Sequence, residues 1–164
     1  MKSFIILLIT SLIFTTKSFA NNSTDSESQF QDWSFHKTIR SGKEICYILS
    51  IPIASPKNII RSKSFFIITN NNNDADEIST SSGYLYKENS NVELSFGSEK
   101  FYLFPYKNFA WANDKNQDID IIKEMQKQDQ MYITAISNNE KMTIDHYSLI
   151  GFTQAYNQMK KSCK

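Results

Sequence analysis

Glycine and histidine are scarce in this chain: four and two residues out of 164. The scarcity shows in the missing motifs. There is no GxxxxGK[ST] or GxGxxG run to cradle a phosphate, no HExxH, no GxSxG and no EF-hand loop. Charge of one sign is also missing, with 18 basic against 17 acidic residues and a formal net charge of +1. Removing Lys2 and Lys17 with the leader described below leaves the chain near neutrality, which argues against nucleic acid or an anionic membrane as partner. Prolines number three and cysteines two, too few for a dense disulfide framework, and there is no CxxC.

Long hydrophobic runs are absent too, save one. Met1-Lys2-Ser3 leads into an apolar stretch from Phe4 to Phe14, which Thr15-Thr16-Lys17 ends before the 18–20 residues that a membrane span needs. Ser18 and Ala20 then occupy the −3 and −1 positions of a cleavage site between Ala20 and Asn21. Residues 1–20 are therefore expected to be a secretory signal, and no integral membrane segment is expected after its removal. No cysteine follows the apolar run, which argues against a lipid anchor. The expected location is periplasmic or secreted, with outer-membrane association open. In such a compartment Cys46 and Cys163 read as a disulfide, with a metal site or a catalytic thiol as the alternatives.

Asn21 to Gln29 has no apolar residue and reads as a disordered leader. From residue 30 to 164 a single domain is expected. Alternation of apolar and polar residues predicts strands over Phe30–Ile39, Ile45–Ile53, Ser64–Asn70, Glu77–Thr80, Val92–Phe96, Lys100–Phe104, Phe109–Trp111, Met131–Ile136 and Met142–Leu149. Ile119, Ile122 and Met125 recur at helical spacing behind a possible N-cap at Asp114, and Phe152, Ala155, Tyr156 and Met159 share one face of a closing helix. Short strands at regular spacing with one or two short helices make this a mainly β chain, an antiparallel β-sandwich.

Candidate chemistry is thin. His36 and His146 stand alone in strands and are expected at the surface. Asp74, Asp76 and Glu77 form an acidic cluster without the glycine and spaced carboxylates of a calcium loop, so a solvated turn is expected there. Phe101, Phe104, Tyr106, Phe109 and Trp111 crowd around Pro105; core packing is the first reading, and an exposed patch for a partner or glycan is the second.

Taken in order, several stretches carry a resemblance. They are Trp33, Cys46-Tyr47 and Pro52, then Ser82-Gly83-Tyr84-Leu85-Tyr86, Val92-Glu93-Leu94, Phe101-Tyr102-Leu103-Phe104 and Ala110-Trp111. Last come Tyr147-Ser148-Leu149-Ile150-Gly151-Phe152-Thr153-Gln154-Ala155 and Cys163-Lys164. Together they resemble the invasion-associated locus B protein family of α-proteobacteria, from about Trp33 to Cys163. The resemblance implies an envelope-associated protein with an immunoglobulin-like β-sandwich, a Cys46–Cys163 bridge, and in some members a link to entry into or survival in host cells. It implies no catalytic residues and no cofactor.

The shared residues have structural reasons. Gly151 lets the chain turn into the closing helix, Phe152 and Ala155 pack that helix, and Trp33 suits the core beside the Cys46 strand, while Trp111 belongs to the aromatic group. The expected function is binding, to an unidentified envelope or host-surface protein, with Tyr84, Tyr86 and the Asn70–Asp76 loop as first contact candidates. A periplasmic envelope-maintenance role without host contact is the alternative. A hydrolase is a third, its best acids being Asp145 beside His146 or the Asp74–Glu77 cluster.

Overall fold

A computed structural model describes residues 26–57, 59–70 and 76–163. The expected signal peptide, its Ala20–Asn21 junction and Asp74 lie outside the described residues. The chain runs β1 (Ser26–Phe30), β2 (Trp33–Arg40), β3 (Lys43–Ser50), β4 (Phe65–Thr69), β5 (Glu77–Ser81), β6 (Val92–Phe96), β7 (Glu99–Tyr106), β8 (Phe109–Trp111), α1 (Lys115–Met125), β9 (Gln130–Ile136), β10 (Met142–Ser148) and α2 (Phe152–Ser162).

All strand pairings are antiparallel, in the order β1-β2-β3-β4-β5-β8-β7-β6-β9-β10. Most neighbours in space are neighbours in sequence, joined by tight turns. Arg40 pairs with Lys43, Phe96 with Glu99 and Tyr106 with Phe109 across two-residue connections. The ladder does not stay flat. Ala54, just after β3, bridges to His146 of β10, with His146 N–H donating to Ala54 O at 2.9 Å and Ile53 N–H to His146 O at 2.8 Å. The sheet thus folds over one core in a sandwich-like architecture, as the alternating pattern predicts.

The core follows from that alternation. Ile48, Phe66, Ile68 and Ile78 point inward from one side, Leu94, Leu103, Met131 and Tyr147 from the other, and all are fully buried or nearly so. Trp33 sits at the centre with no exposed surface. Its Nε1–H donates to Ser148 O at 2.9 Å, and its ring meets Phe66 and Phe152 edge-on at 6.1 and 5.0 Å. Burying so large a ring with its one polar atom satisfied avoids the desolvation cost of an unpaired donor.

Helix α2 lies against β1, β2 and β3 through Phe152, Ala155 and Met159. Gly151 starts it at φ +91, where a Cβ would land on the carbonyl of Phe30, so a side chain is excluded both by conformation and by space. Beyond its last turn, Cys163 is bonded to Cys46 of β3, a bridge spanning 117 positions of sequence. Helix α1 is capped by Asp114, whose carboxylate accepts from Gln117 N–H at 2.9 Å, and it buries Ile121, Ile122 and Met125.

Two expectations need correction here. The polar stretch expected to be disordered up to Gln29 is, from Ser26 onward, an edge strand paired with β2 from Ser26↔Lys37 to Phe30↔Trp33. An edge strand exposed on both faces needs only backbone hydrogen bonds, so its side chains carry no apolar signal. Strand β7 also continues through Pro105 to Tyr106. Proline stands there opposite Ala110, within a strand the sequence was expected to end at Phe104.

Candidate functional site

The period of two in β7 divides its aromatics into two faces. Leu103 is buried and Phe101 partly so, while Tyr102, Phe104 and Tyr106 point outward, 47, 45 and 62% exposed. Strand β8 presents Phe109 and Trp111 on that same outer face, with Trp111 opposite Phe104 and Phe109 opposite Tyr106. The rings form a continuous band. Phe104 stacks on Trp111 at 5.8 Å, Trp111 on Phe109 at 5.7 Å, and Phe109 meets Phe65 edge-on at 5.7 Å.

Core packing is therefore not the role of Tyr102, Phe104 or Tyr106. These three stand open to solvent, with half-buried Phe109 and Trp111 beside them. Contiguous exposed aromatic surface of this kind is uncommon on a chain that works alone and is characteristic of binding faces.

The band borders two hollows that share Tyr106. One, of about 810 Å³, lies beside Leu85, Lys87 and Lys107, with the Lys107 ammonium 5.3 Å from the Tyr106 ring centre. The other, of about 450 Å³, lies between Phe104, Tyr106 and Trp111 and the first turn of α1. Asp118 reaches into it. The residue is only 8% exposed, and its carboxylate accepts from Ile78 N–H at 2.9 Å.

Burial raises the Asp118 carboxyl to about 6, the Ile78 N–H opposes the rise, and the charges of Glu77, Asp114 and Asp76 add to it. The folded protein thus holds this proton more tightly than the unfolded chain, whose carboxyl titrates near 3.8. Stability is favoured below the unfolded value and falls as pH rises through about 6, where the buried carboxylate ionises. Asp118→Asn keeps an acceptor for Ile78 and removes that charge. Denaturant unfolding should show a gain of about 1–2 kcal/mol at pH 8 that shrinks towards zero at pH 4.

The residues singled out as contact candidates lie elsewhere. Tyr86 is buried at 5% exposure; its hydroxyl accepts from Ser82 N–H at 2.8 Å and bonds Ser82 Oγ at 3.2 Å, and desolvation pushes the phenol up to about 12. Tyr84 is half-buried, with its hydroxyl 2.6 Å from Thr143 Oγ1 and its ring under the Arg61 guanidinium. Tyr86 is thus a core residue and not an exposed contact, whereas Tyr84 keeps part of its surface open. They sit where Gly83, at φ +79, turns the chain so tightly against Ser62 that no Cβ fits.

Asp145 and His146, the best acid and base by sequence, are on opposite faces of β10. Asp145 is 1% exposed and held by Arg61 at both oxygens, with Nη1 2.7 Å from Oδ2, and by Ser55 Oγ at 2.7 Å. His146 points outward, stacked on Tyr132 at 4.6 Å, with Nε2 2.8 Å from Gln130 Oε1. The strand period that makes them adjacent in sequence separates them in space. Asp76 of the acidic cluster is buried rather than solvated. It accepts from Tyr156 Oη at 2.8 Å and Lys160 Nζ at 3.0 Å, which fastens β5 to α2. The remaining contact candidates, residues 71–75, lie outside the described residues. The Cys46 and Cys163 sulfurs are joined to each other, which removes them as metal ligands or nucleophile.

Sequence reasoning missed Tyr102, Arg61 and Asp118. The parity of β7 could have found Tyr102, since positions 102, 104 and 106 share a face. No pattern announces Arg61 or Asp118, because their partners are 84 and 40 residues away.

Comparison with known proteins fits this architecture. The family described as Invasion associated locus B (IalB) protein matches residues 34–160. No curated protein matches the chain. Among solved structures, the crystal structure of invasion associated protein B from Bartonella henselae superposes with a TM-score of 0.62, covering 83% of this chain and 95% of that one at 14% identity. That likeness shows the shared fold, and the family match extends over most of the sequence. The chain belongs to the invasion associated locus B family.

Proposed function

We propose that this protein is an exported, non-enzymatic envelope protein that works by binding, as an accessory factor in host-cell invasion or intracellular survival. The observation that carries the reading is the outward aromatic band, in which Tyr102, Phe104 and Tyr106 are exposed beside half-buried Phe109 and Trp111. The three exposed rings cost solubility and add little to the core, so their placement serves a partner's surface. An aromatic anchor at the centre of an interface typically accounts for about 2 kcal/mol or more of binding.

The family and the name of the Bartonella structure support the invasion association. A disulfide supports an oxidising compartment, and among the described residues no helix is long and apolar enough to cross a membrane. The partner is then an envelope or host-surface protein, with no cofactor involved.

The test uses mature protein carrying Phe104→Ser and Tyr106→Ser, labelled and added to cultured host cells. Bound protein measured by flow cytometry should fall at least tenfold, since two central rings are lost. Both positions are exposed, so the melting temperature should stay within about 2 °C of the native value. Unchanged cell binding would contradict direct host contact through this face and favour envelope maintenance instead.

A further inference from the structure

The smaller hollow at the edge of the band has a chemistry of its own. Phe104, Tyr106 and Trp111 form one side of it, and Glu77, Asp114 and Asp118 line the other. Lys115 is the one basic residue among the described residues around it, so three carboxylates stand against one ammonium. Ring faces attract cations through their quadrupole, and carboxylates accept charge-assisted hydrogen bonds. The two features converge on one small volume, reached from the open side of the band.

The carboxylates also decide what kind of cation fits. A quaternary ammonium offers no N–H to Glu77, Asp114 or Asp118. A guanidinium offers five N–H donors in a planar group that stacks on an aromatic ring while its edge faces the acids. Asp118 sits deep, tied by one oxygen to Ile78 N–H, and its ionisation is opposed first by burial and then by the nearby charges of Glu77, Asp114 and Asp76. An entering cation relieves that repulsion.

We infer that this hollow receives an arginine side chain of the protein partner, which anchors the partner at the acidic edge of the aromatic band. The inference rests on the band being the docking face and adds the chemistry of its anchor.

The experiment titrates the mature chain with a fluorescein-labelled Gly-Arg-Gly-Arg-Gly peptide and with the same peptide carrying citrulline, followed by anisotropy and by tryptophan emission. The chain has two tryptophans, and Trp33 is fully buried, so a quenching signal reports on Trp111. The arginine peptide should bind at least tenfold more tightly than the citrulline peptide. The Glu77→Gln/Asp118→Asn variant should lose at least tenfold in that affinity without losing thermal stability. Equal binding of the two peptides, or an unchanged affinity in the double variant, would overturn the inference. So would binding of choline chloride with no binding of the arginine peptide.

The host-cell assay separates this inference from the reading beneath it. If Phe104→Ser/Tyr106→Ser abolishes cell binding and Glu77→Gln/Asp118→Asn does not, the docking face stands and the arginine anchor falls. If both variants bind cells like the native protein, the docking face itself falls.

Discussion

Replacing both Cys46 and Cys163 with alanine should lower the unfolding free energy by about 4–5 kcal/mol, the largest effect expected from any small change in this protein. The bond joins β3 to the end of α2 across 117 positions of sequence, nearly the whole described domain. Opening so long a loop returns much conformational freedom to the unfolded chain, and the chain-entropy account gives about 4.7 kcal/mol for a loop near 100 residues. Both cysteines are buried, so the alanines leave no polar group stranded. The folded state also loses the clamp that holds α2 over Trp33. For a domain of this size the melting temperature should drop by on the order of 15 °C. Thermal melts of the variant, and of the native protein with and without reductant, check this. A shift of only a few degrees would show that the packing of Phe152, Ala155 and Met159 holds α2 without the bond.

The second large effect is expected at Arg61. Its guanidinium and the Asp145 carboxylate are 7% and 1% exposed, and Arg61 also donates to Ser82 O at 2.9 Å. The bond to Asp145 raises the Arg61 pKa, against the opposing effect of burial. Arg61→Met would leave a carboxylate inside the protein with only Ser55 to bond it, at a cost of about 3–5 kcal/mol. Most of that cost comes from the stranded charge. Adding Asp145→Asn to Arg61→Met should therefore recover at least half of the loss, since the amide keeps a partner for Ser55 and carries no charge. Urea unfolding of the single and double variants tests the point. Equal destabilisation in both would mean that Arg61 acts through the packing of its side chain, whose guanidinium lies over Tyr84, rather than through its pairing with Asp145.

The fold was largely legible because its alternation is regular. Val92, Leu94 and Phe96 face the core with Glu93 and Ser95 turned away, and the period survives from sequence into structure. The change to helical spacing was readable at Ile122 and Met125, but Ile119 of the same series is exposed and Ile121 takes the buried place. What stayed hidden was whatever local pattern does not encode. Strand β1 is polar up to Phe30 and is held mainly by backbone pairing with β2, so it looks like any polar leader. Tyr84 and Tyr86 look like a surface pair, yet contacts with Ser82 and with Thr143, 59 residues away, draw them inward. The aromatic group was visible as composition, but burial depends on what covers a face, and among the described residues Tyr102, Phe104 and Tyr106 on the outer face of β7 remain exposed. Asp145 was noticed for its neighbour His146, when its true partner Arg61 lies 84 residues earlier.

The central claim is that the outer face of β7 and β8 is covered by a partner when the protein is at work. Site-specific photo-cross-linking tests it most directly. p-Benzoylphenylalanine is placed at position 104, at position 106, or at Ile39 of β2, which is 52% exposed and off the band. Each variant is irradiated in producing cells in contact with host cells. A discrete adduct of one size from positions 104 and 106, and none from position 39, is the predicted result. No adduct at 104 and 106, or the same adducts from all three positions, would contradict the assignment of this face as the docking surface.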